Sequence, residues 1–228
     1  MTPTPRSLAM IHTVAGLIPT FDALLKADLP AWAGFNMVDE SLLRATIRDG
    51  SPSPLTTRRL AALIASATDA GAEAVVVTCS SLGPAVEACR PFCPVPLFRI
   101  DEGMAIAAVQ SAVQHLGRIG VLATLPSTLA PTAALIRATA ARLGRDCSVT
   151  DRLAEGAFQK LASGDTATHD AMVAAEIRAL AATCDTVVLA QASMARALAT
   201  VAGDLGSTPV LTSPELGIRH IRDRLSAS

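Results

Sequence analysis

The segment EAVVVTCSSL at residues 73–82 decides the fold, because its character returns as DTVVLAQASM at residues 185–194, an offset of 112. Each copy is a short apolar run that ends in a polar turn. A strand that is apolar at every position is typical of a parallel sheet with both faces covered. A repeat at a fixed offset indicates that the chain contains two copies of one structural unit. We therefore predict two similar α/β lobes.

Two further landmarks upstream keep nearly the same offset. The run MIHT at residues 10–13 matches VLAT at 121–124, and the Pro-Thr pair at 19–20 matches the pair at 131–132. Chance similarity between two strand–helix segments is the alternative, and the shared spacing of separate landmarks weighs against it. We expect a pseudo-twofold relation between the lobes and an active site in the cleft where their strand ends face each other.

The rest of the chain alternates short β-rich runs with Ala-rich helical stretches, which favours parallel sheets covered by helices. The predicted fold class is α/β, with two Rossmann-like or flavodoxin-like lobes. We assign residues 1–105 and 209–228 to the first lobe and residues 106–208 to the second. The predicted strands are Leu8–Thr13, Gly34–Val38, Ala74–Thr78, Val95–Arg99, Ile119–Ala123, Cys147–Thr150, Thr186–Ala190 and Pro209–Thr212.

The composition of the 228 residues excludes several classes of protein. Half of the residues are hydrophobic and 17% are charged, which excludes disorder for the bulk of the chain. A net charge of −1 with 3% aromatic residues argues against a nucleic-acid partner. No apolar run has the length needed to cross a membrane. The five cysteines are odd in number and scattered, so we expect a cytoplasmic protein without a disulfide framework.

The polar turn of the first copy carries the strongest chemical signal, because Cys79 directly follows an apolar strand. Ser80 and Ser81 come next, and Pro84 suits the first turn of a following helix. Hydroxyls and backbone N–H groups at a helix N-terminus bind a carboxylate, and the same dipole is expected to lower the pKa of the thiol. Cys79 is therefore a candidate acid, base or nucleophile. A buried structural cysteine at a strand end is the alternative.

The equivalent turn of the second half carries an amide in place of the thiol. Gln191 takes the position of Cys79, and Ser193 takes that of Ser81. A glutamine amide moves no proton usefully, but it can hydrogen-bond a carboxylate or enolate oxygen. We therefore expect the second half to bind substrate through this turn.

Threonines end the first strand of each half. Thr124 ends one predicted strand and is followed by Leu-Pro-Ser-Thr before a helix predicted over Leu129–Leu143. Thr124, Ser127 and Thr128 as a group can hold a carboxylate, whereas helix capping is the alternative role for Thr128. Thr13 is the matching residue of the first half and joins the candidate binding residues.

Four other polar residues lie near predicted strand ends or helix starts, and each has a structural alternative. His12 and His169 are the remaining acid–base candidates, with a hydrogen-bonded core histidine and a helix-start residue as their respective alternatives. Asp39 and Glu102 follow the second and fourth strands, where the alternative role is helix N-terminal charge. No Cys or His pairs have zinc spacing, so we expect no metal.

Together these residues resemble the aspartate/glutamate racemase superfamily. The run VVVTCSS at 75–81 is similar to the family's first catalytic-cysteine motif, and IGVLAT at 119–124 is similar to its substrate-binding strand in the second half. Segments 36–43 and 189–194 resemble parts of less characterised members. The resemblance covers nearly the whole chain. It implies catalysis without a cofactor, a small carboxylate-containing substrate and a homodimer.

The chain departs from the family's pattern at one position. Racemases of this family use two cysteines, one on each side of the substrate α-carbon, and here Gln191 replaces the second. The resemblance implies a pyridoxal-phosphate-independent isomerase acting at the carbon alpha to a carboxylate, with Cys79 as acid, base or nucleophile. Gln191 argues against two-base racemisation. The substrate-binding residues implied are Thr13, Ser80, Ser81, Thr124, Thr128, Gln191 and Ser193.

Two alternatives to an isomerase stay open. The first is a cofactor-free decarboxylase or lyase of the arylmalonate decarboxylase type, which also has a single cysteine, although at the other position. The second is a non-catalytic protein that kept the carboxylate-binding groups and lost one of the two catalytic cysteines.

Overall fold

The structure is a computed structural model that describes residues 5–227. The chain divides into two compact units. The first contains the residues up to Ile100 together with the chain from Gly217 onward, and the second contains Asp101–Leu216. Each unit is built on a four-stranded sheet in which every pairing is parallel. The predicted α/β fold with two parallel sheets is confirmed.

The first unit contains four strands and four complete helices. They are β1 (Arg6–His12), β2 (Trp32–Val38), β3 (Ala74–Val77), β4 (Leu97–Arg99), α1 (Ile18–Asp28), α2 (Glu40–Asp49), α3 (Pro54–Asp69) and α4 (Gly83–Cys89). The strand order is β2-β1-β3-β4, so β1 and β3 are the central strands. β1 pairs with β3 from Leu8 opposite Ala74 to Ile11 opposite Val77. This register brings the segments that follow β1 and β3 to the same edge of the sheet.

The second unit repeats this plan. Its elements are α5 (Glu102–Ala112), β5 (Arg118–Ala123), α6 (Pro126–Arg142), β6 (Ser148–Leu153), α7 (Ala157–Ala162), α8 (Thr166–Ala181), β7 (Thr186–Leu189), α9 (Ala195–Val201) and β8 (Val210–Thr212). The strand order is β6-β5-β7-β8, which matches the order in the first unit. A last helix, α10 (Ser213–Ser226), begins in the second unit and ends in the first.

The internal repeat of the sequence is also a repeat of the structure. β3 and β7 begin at residues 74 and 186, and each leads through a short 3-10 turn into a seven-residue helix. The two turns are Ser80–Leu82 and Ala192–Met194, again 112 residues apart. The polar turns singled out in the sequence are therefore equivalent positions in two copies of one strand–turn–helix motif.

The boundaries of the units fall elsewhere than at residues 105/106 and 208/209, the positions assigned from the sequence. β8 pairs in parallel with β7, so residues 209–216 belong to the second unit. The whole of α5 also belongs to that unit, and the first boundary lies just before it, between Ile100 and Asp101. Strand pairing is a long-range contact that the order of elements along the chain does not reveal.

Each face of the first sheet has its own core. Ala9, Ile11 and Val75 pack with residues of α3 on one face, and Leu8 and Met10 pack with residues of α1 on the other. Successive side chains of a strand point to opposite faces, so both faces are apolar when both are covered. This explains why β3 is apolar at every position and why β1 is apolar from Leu8 to Ile11.

We predict that Leu60→Ala lowers the free energy of unfolding by about 2–5 kcal/mol, because Leu60 is fully buried on α3 and its truncation leaves a cavity. The matched control is Leu55→Ala on the same helix, where the side chain is 55% exposed and the change is expected to stay within about 0.5 kcal/mol. Urea denaturation measures both values. Equal losses for the two variants would contradict the packing described.

Candidate functional site

Cys79 lies between β3 and the 3-10 turn that starts α4, with an extended backbone. Its thiol is half-buried and has hydrogen-bond partners on three residues: the side chain of Thr13, the side chain and backbone of Ser81, and the backbone of Leu82. Thr13 follows β1, the strand beside β3. The pairing of the two central strands therefore builds the surroundings of the thiol.

Burial raises the pKa of the Cys79 thiol, and the hydrogen bonds from Thr13, Leu82 and Ser81 oppose that rise only in part. The expectation of a lowered pKa is therefore wrong. α4 has only seven residues, and its dipole does not outweigh the loss of hydration around the sulfur. The resting form of Cys79 is the neutral thiol, with donors in place to stabilise a thiolate when one forms.

Ser80 and Ser81 occupy the turn after Cys79, and both side chains are buried. The turn continues into Gly83 at the start of α4. The guanidinium of Arg99, only 5% exposed, lies against Gly83, where a Cβ atom would collide with it. Arg99 is not among the candidates predicted from the sequence, where its one signal is a charged residue at the end of the predicted strand Val95–Arg99.

The second unit places Thr124 and Gln191 together. Both the backbone N–H and the hydroxyl of Thr124 donate to Oε1 of Gln191, at 2.6 Å and 2.9 Å. A backbone N–H can only donate, so the carbonyl oxygen of the amide must face Thr124. The Nε2 group of Gln191 therefore points away as a hydrogen-bond donor. Ser193 lies two residues further on and is half-buried.

The hydroxyl-rich segment after Thr124 differs from the prediction. α6 begins at Pro126 instead of Leu129, so Ser127 and Thr128 lie inside its first turn. The N-cap residue is Leu125, which makes no side-chain cap. Proline suits the first helical position, which moves the start of the helix upstream. Ser127 Oγ is buried without a hydrogen-bond partner among the described residues.

Three other polar residues singled out in the sequence, Asp39, Glu102 and His169, lie in the first turn of a helix or directly before it. Asp39 is the N-cap of α2 and accepts hydrogen bonds from Ser41 and Arg59. His169 is fully buried and contacts Asp170 through Nδ1 at 2.7 Å. Glu102 lies in the first turn of α5. Helix N-terminal positions account for Asp39 and Glu102.

His12 is fully buried at the end of β1, and both of its ring nitrogens have partners. Nε2 lies 2.8 Å from Oδ1 of Asn36, and Nδ1 lies 2.8 Å from Oγ1 of Thr78. Burial lowers the pKa of His12, and the contacts with Asn36 and Asp22 oppose this in part. His12 is thus a hydrogen-bonded core histidine. The sequence gives no indication of its partner Asn36.

A family model described as Asp/Glu/Hydantoin racemase matches residues 11–221, which is most of the chain. The chain belongs to this racemase family. No curated protein matches its sequence. The family assignment rests on the match to the family model, and the matched residues include both polar turns.

Solved structures with this fold include three enzymes of different activity. A glutamate racemase isoform from Bacillus anthracis has a TM-score of 0.72 at 16% identity, covering 98% of this chain and 83% of its own. An allantoin racemase from Klebsiella pneumoniae has a TM-score of 0.67 at 18% identity, with coverages of 97% and 88%. A glycine-to-cysteine variant of arylmalonate decarboxylase has a TM-score of 0.51 at 21% identity, with coverages of 97% and 94%. At these identities the likeness shows the shared fold.

Within residues 5–227, this racemase-family chain has neither a candidate metal site nor a helix suited to span a membrane. No group of three or more His, Cys, Asp or Glu side chains there is placed to hold a metal ion. None of the helices in that range is long and apolar enough to cross a membrane.

We predict that the family member loses stability as the pH falls below about 6.5, in part because of His12. The pKa of His12 in the folded protein lies below 6.5, so the unfolded chain binds a proton first on acidification. His12→Gln should make the free energy of unfolding less dependent on pH between about 7 and 5. Urea titrations at several pH values test this, with the exposed His115→Gln as control. A pH dependence that is unchanged in His12→Gln would refute it.

We predict that Gly83→Ala destabilises the protein by about 1–3 kcal/mol, because the new methyl group collides with the Arg99 guanidinium. Gly16→Ala is the control, since nothing lies within 4 Å of a Cβ atom at that position. Thermal unfolding compares the two variants. If both melt alike, the Arg99 guanidinium moves aside for the new methyl group without a cost in stability.

Proposed function

We propose that this racemase-family protein is a cofactor-independent enzyme that acts at the carbon alpha to a carboxylate of a small acid, including amino acids, with Cys79 as the reacting group. One observation carries the proposal: the half-buried Cys79 thiol has hydroxyl and backbone partners on Thr13, Ser81 and Leu82. Such an arrangement stabilises a thiolate without a metal or an organic cofactor.

The thiol and its partners support both directions of proton transfer. Starting from the neutral thiol, Cys79 can donate a proton to a carbanion or enolate at the α-carbon. The thiolate that remains is stabilised by the hydroxyl of Thr13 and by the N–H groups of the following turn. In the reverse direction that thiolate accepts the α-proton. General acid–base catalysis of this kind requires the sulfur within hydrogen-bond reach of the α-carbon.

Recognition of the carboxylate is assigned to hydroxyl and amide donors. In the second unit these are Nε2 of Gln191, Ser193 and the first turn of α6 with Thr128. In the first unit they are Ser80 and Ser81, in the same turn as the thiol. The fixed orientation of the Gln191 amide supports this assignment, because its N–H₂ group is available to an anionic oxygen.

A decarboxylase or lyase is the second candidate, and the orientation of Gln191 favours it. An amide whose oxygen is occupied by Thr124 presents only N–H groups, so it cannot act as a second base. In a decarboxylation the bond between the α-carbon and one carboxylate breaks, and CO₂ leaves. The electron pair remains on the α-carbon as an enolate, and Cys79 supplies one proton. Solvent then reprotonates the thiolate, so a single acid–base group is sufficient.

Incubation in D₂O separates these activities. We expect the enzyme either to exchange the α-hydrogen of a small amino or hydroxy acid or to release CO₂ from a substituted malonate, with one solvent deuterium in the product. Proton NMR follows the exchange, and chiral chromatography determines the product configuration.

Cys79→Ser should reduce the detected activity by at least about 100-fold, because the hydroxyl is a far weaker acid than the thiol. Cys147→Ser, which changes a half-buried cysteine of the second unit, is the matched control and should leave the rate unchanged. Full activity in Cys79→Ser would rule out the proposed mechanism. Ligand binding without turnover across the whole panel would instead identify a non-catalytic carboxylate-binding protein.

Gln191→Glu should weaken binding of malonate about tenfold or more, because a carboxylate acceptor replaces the outward N–H₂ donor while the bonds from Thr124 can persist. Isothermal titration calorimetry at neutral pH measures the loss. The control Gln159→Glu makes the same change on α7, outside the polar turns. Equal affinity in Gln191→Glu and the unmodified protein would remove Gln191 from the binding residues.

A further inference from the structure

The first unit contains a chain of side-chain hydrogen bonds that the proposed chemistry does not use. It runs from Asp22 on α1 to Asn36 on β2, then to His12 at the end of β1, and ends at Thr78, the residue before Cys79. The contacts measure 3.0 Å, 2.8 Å and 2.8 Å along the chain. These hydrogen bonds link α1, β2 and β1 to Thr78, the residue that follows β3 and precedes Cys79.

The donors and acceptors of this chain have one consistent arrangement. The carboxylate of Asp22 only accepts, so Asn36 turns its N–H₂ group toward Asp22 and its carbonyl oxygen toward His12. The neutral His12 ring then carries its proton on Nε2, and the lone pair of Nδ1 accepts from the hydroxyl of Thr78, which also lies 3.2 Å from the carbonyl oxygen of Ile11. The charge of Asp22 therefore fixes the direction of each hydrogen bond as far as Thr78.

The geometry of β1 and β3 couples this chain to the thiol. The register continued by one residue places His12 opposite Thr78, and by two residues Thr13 opposite Cys79. Neighbouring residues of a strand point to opposite faces. His12 lies on the face covered by α1, where its ring is 5.6 Å from that of Phe21, whereas Cys79 packs against the core of the other face. The pairs His12–Thr78 and Thr13–Cys79 therefore follow one another at the same edge of the sheet, with their side chains on opposite faces.

We propose that His12 is a positioning residue that acts through Thr78 to hold the ends of β1 and β3 in the register that aims the Thr13 hydroxyl at the Cys79 sulfur. The main chain adds the bond from Thr78 N–H to the carbonyl of Ile11 at 3.0 Å. That bond fixes the backbone of Thr78, and the Thr78 hydroxyl is held by the shorter contact with His12 at 2.8 Å and by the carbonyl of Ile11 at 3.2 Å. Both strand ends are then held immediately before the residues that carry the reaction.

The proposal rests on the role assigned to Cys79, but its test measures the thiol itself and needs no substrate. Peptide-level mass spectrometry after alkylation with iodoacetamide, between about pH 7 and pH 11, gives the reaction rate of Cys79 apart from the other cysteines. The midpoint of that rate against pH reports how well the hydrogen bonds stabilise the thiolate.

Thr78→Val removes the hydroxyl at nearly constant volume and should move the midpoint up by about 0.5–1 pH unit, with about three- to tenfold slower alkylation near pH 8. Thr78→Ser keeps the hydroxyl and should restore the wild-type profile. Thr68→Val is the matched control, because it removes a hydroxyl–carbonyl bond at the end of α3. A Thr78→Val variant that melts earlier but keeps the wild-type midpoint would overturn the proposal.

If Thr78→Val does not fold, Asp22→Ala tests the same proposal, because it changes an exposed residue. It should shift the midpoint in the same direction by a smaller amount, because Asn36 is then free to turn. Nitrogen-15 NMR of the protein independently checks the hydrogen bonds between Asp22, Asn36 and His12. We expect the His12 ring to be neutral and protonated on Nε2, and a ring protonated on Nδ1 would also overturn the proposal.

Discussion

The parallel pairing of two central strands is the constraint on which the rest of the structure depends. In the first unit β1 and β3 are hydrogen-bonded in a register that ends with Thr78 N–H on the carbonyl of Ile11. This pairing brings Thr13 beside Cys79, although the two residues are far apart in the chain. In the second unit β5 and β7 make the equivalent pairing and bring Thr124 to Gln191. Polar groups lie at these ends because the strands themselves are buried on both faces and admit few polar side chains.

The same frame carries different chemistry in the two units. The thiol of Cys79 has a pKa raised by burial, and its partners are donors that favour the charged form. The amide of Gln191 does not ionise at any ordinary pH, and its oxygen is already occupied by Thr124. A titratable thiol therefore lies at one of the two equivalent turns, and an amide that does not titrate lies at the other. This asymmetry is the feature that separates the chain from a symmetric two-cysteine racemase, within a fold shared with racemases and a decarboxylase.

Much of the fold could be predicted from local patterns. All eight strands appear near their predicted positions, because short apolar runs bounded by polar turns are a strong signal for buried parallel strands. The candidate residues Cys79 and Gln191 followed from the same repeat. The start of α6 differs from the predicted Leu129, because Pro126 opens the helix instead of lying in a turn before it. The pKa of Cys79 had the wrong sign because burial of a side chain depends on packing, which the sequence pattern does not specify. Asn36 and Arg99 were missed because their importance comes from contacts across the sheet.

The sequence by itself determined that the chain contains two copies of one strand–turn–helix plan and that a thiol in one copy occupies the position that an amide occupies in the other. These properties are local, since they depend on periodicity and on residue types at equivalent positions. Only the tertiary structure decided which groups surround the thiol, which way the Gln191 amide points and which strand completes each sheet. Hydrogen-bond direction and loss of hydration depend on side chains that approach one another from distant parts of the chain, and no local pattern encodes them.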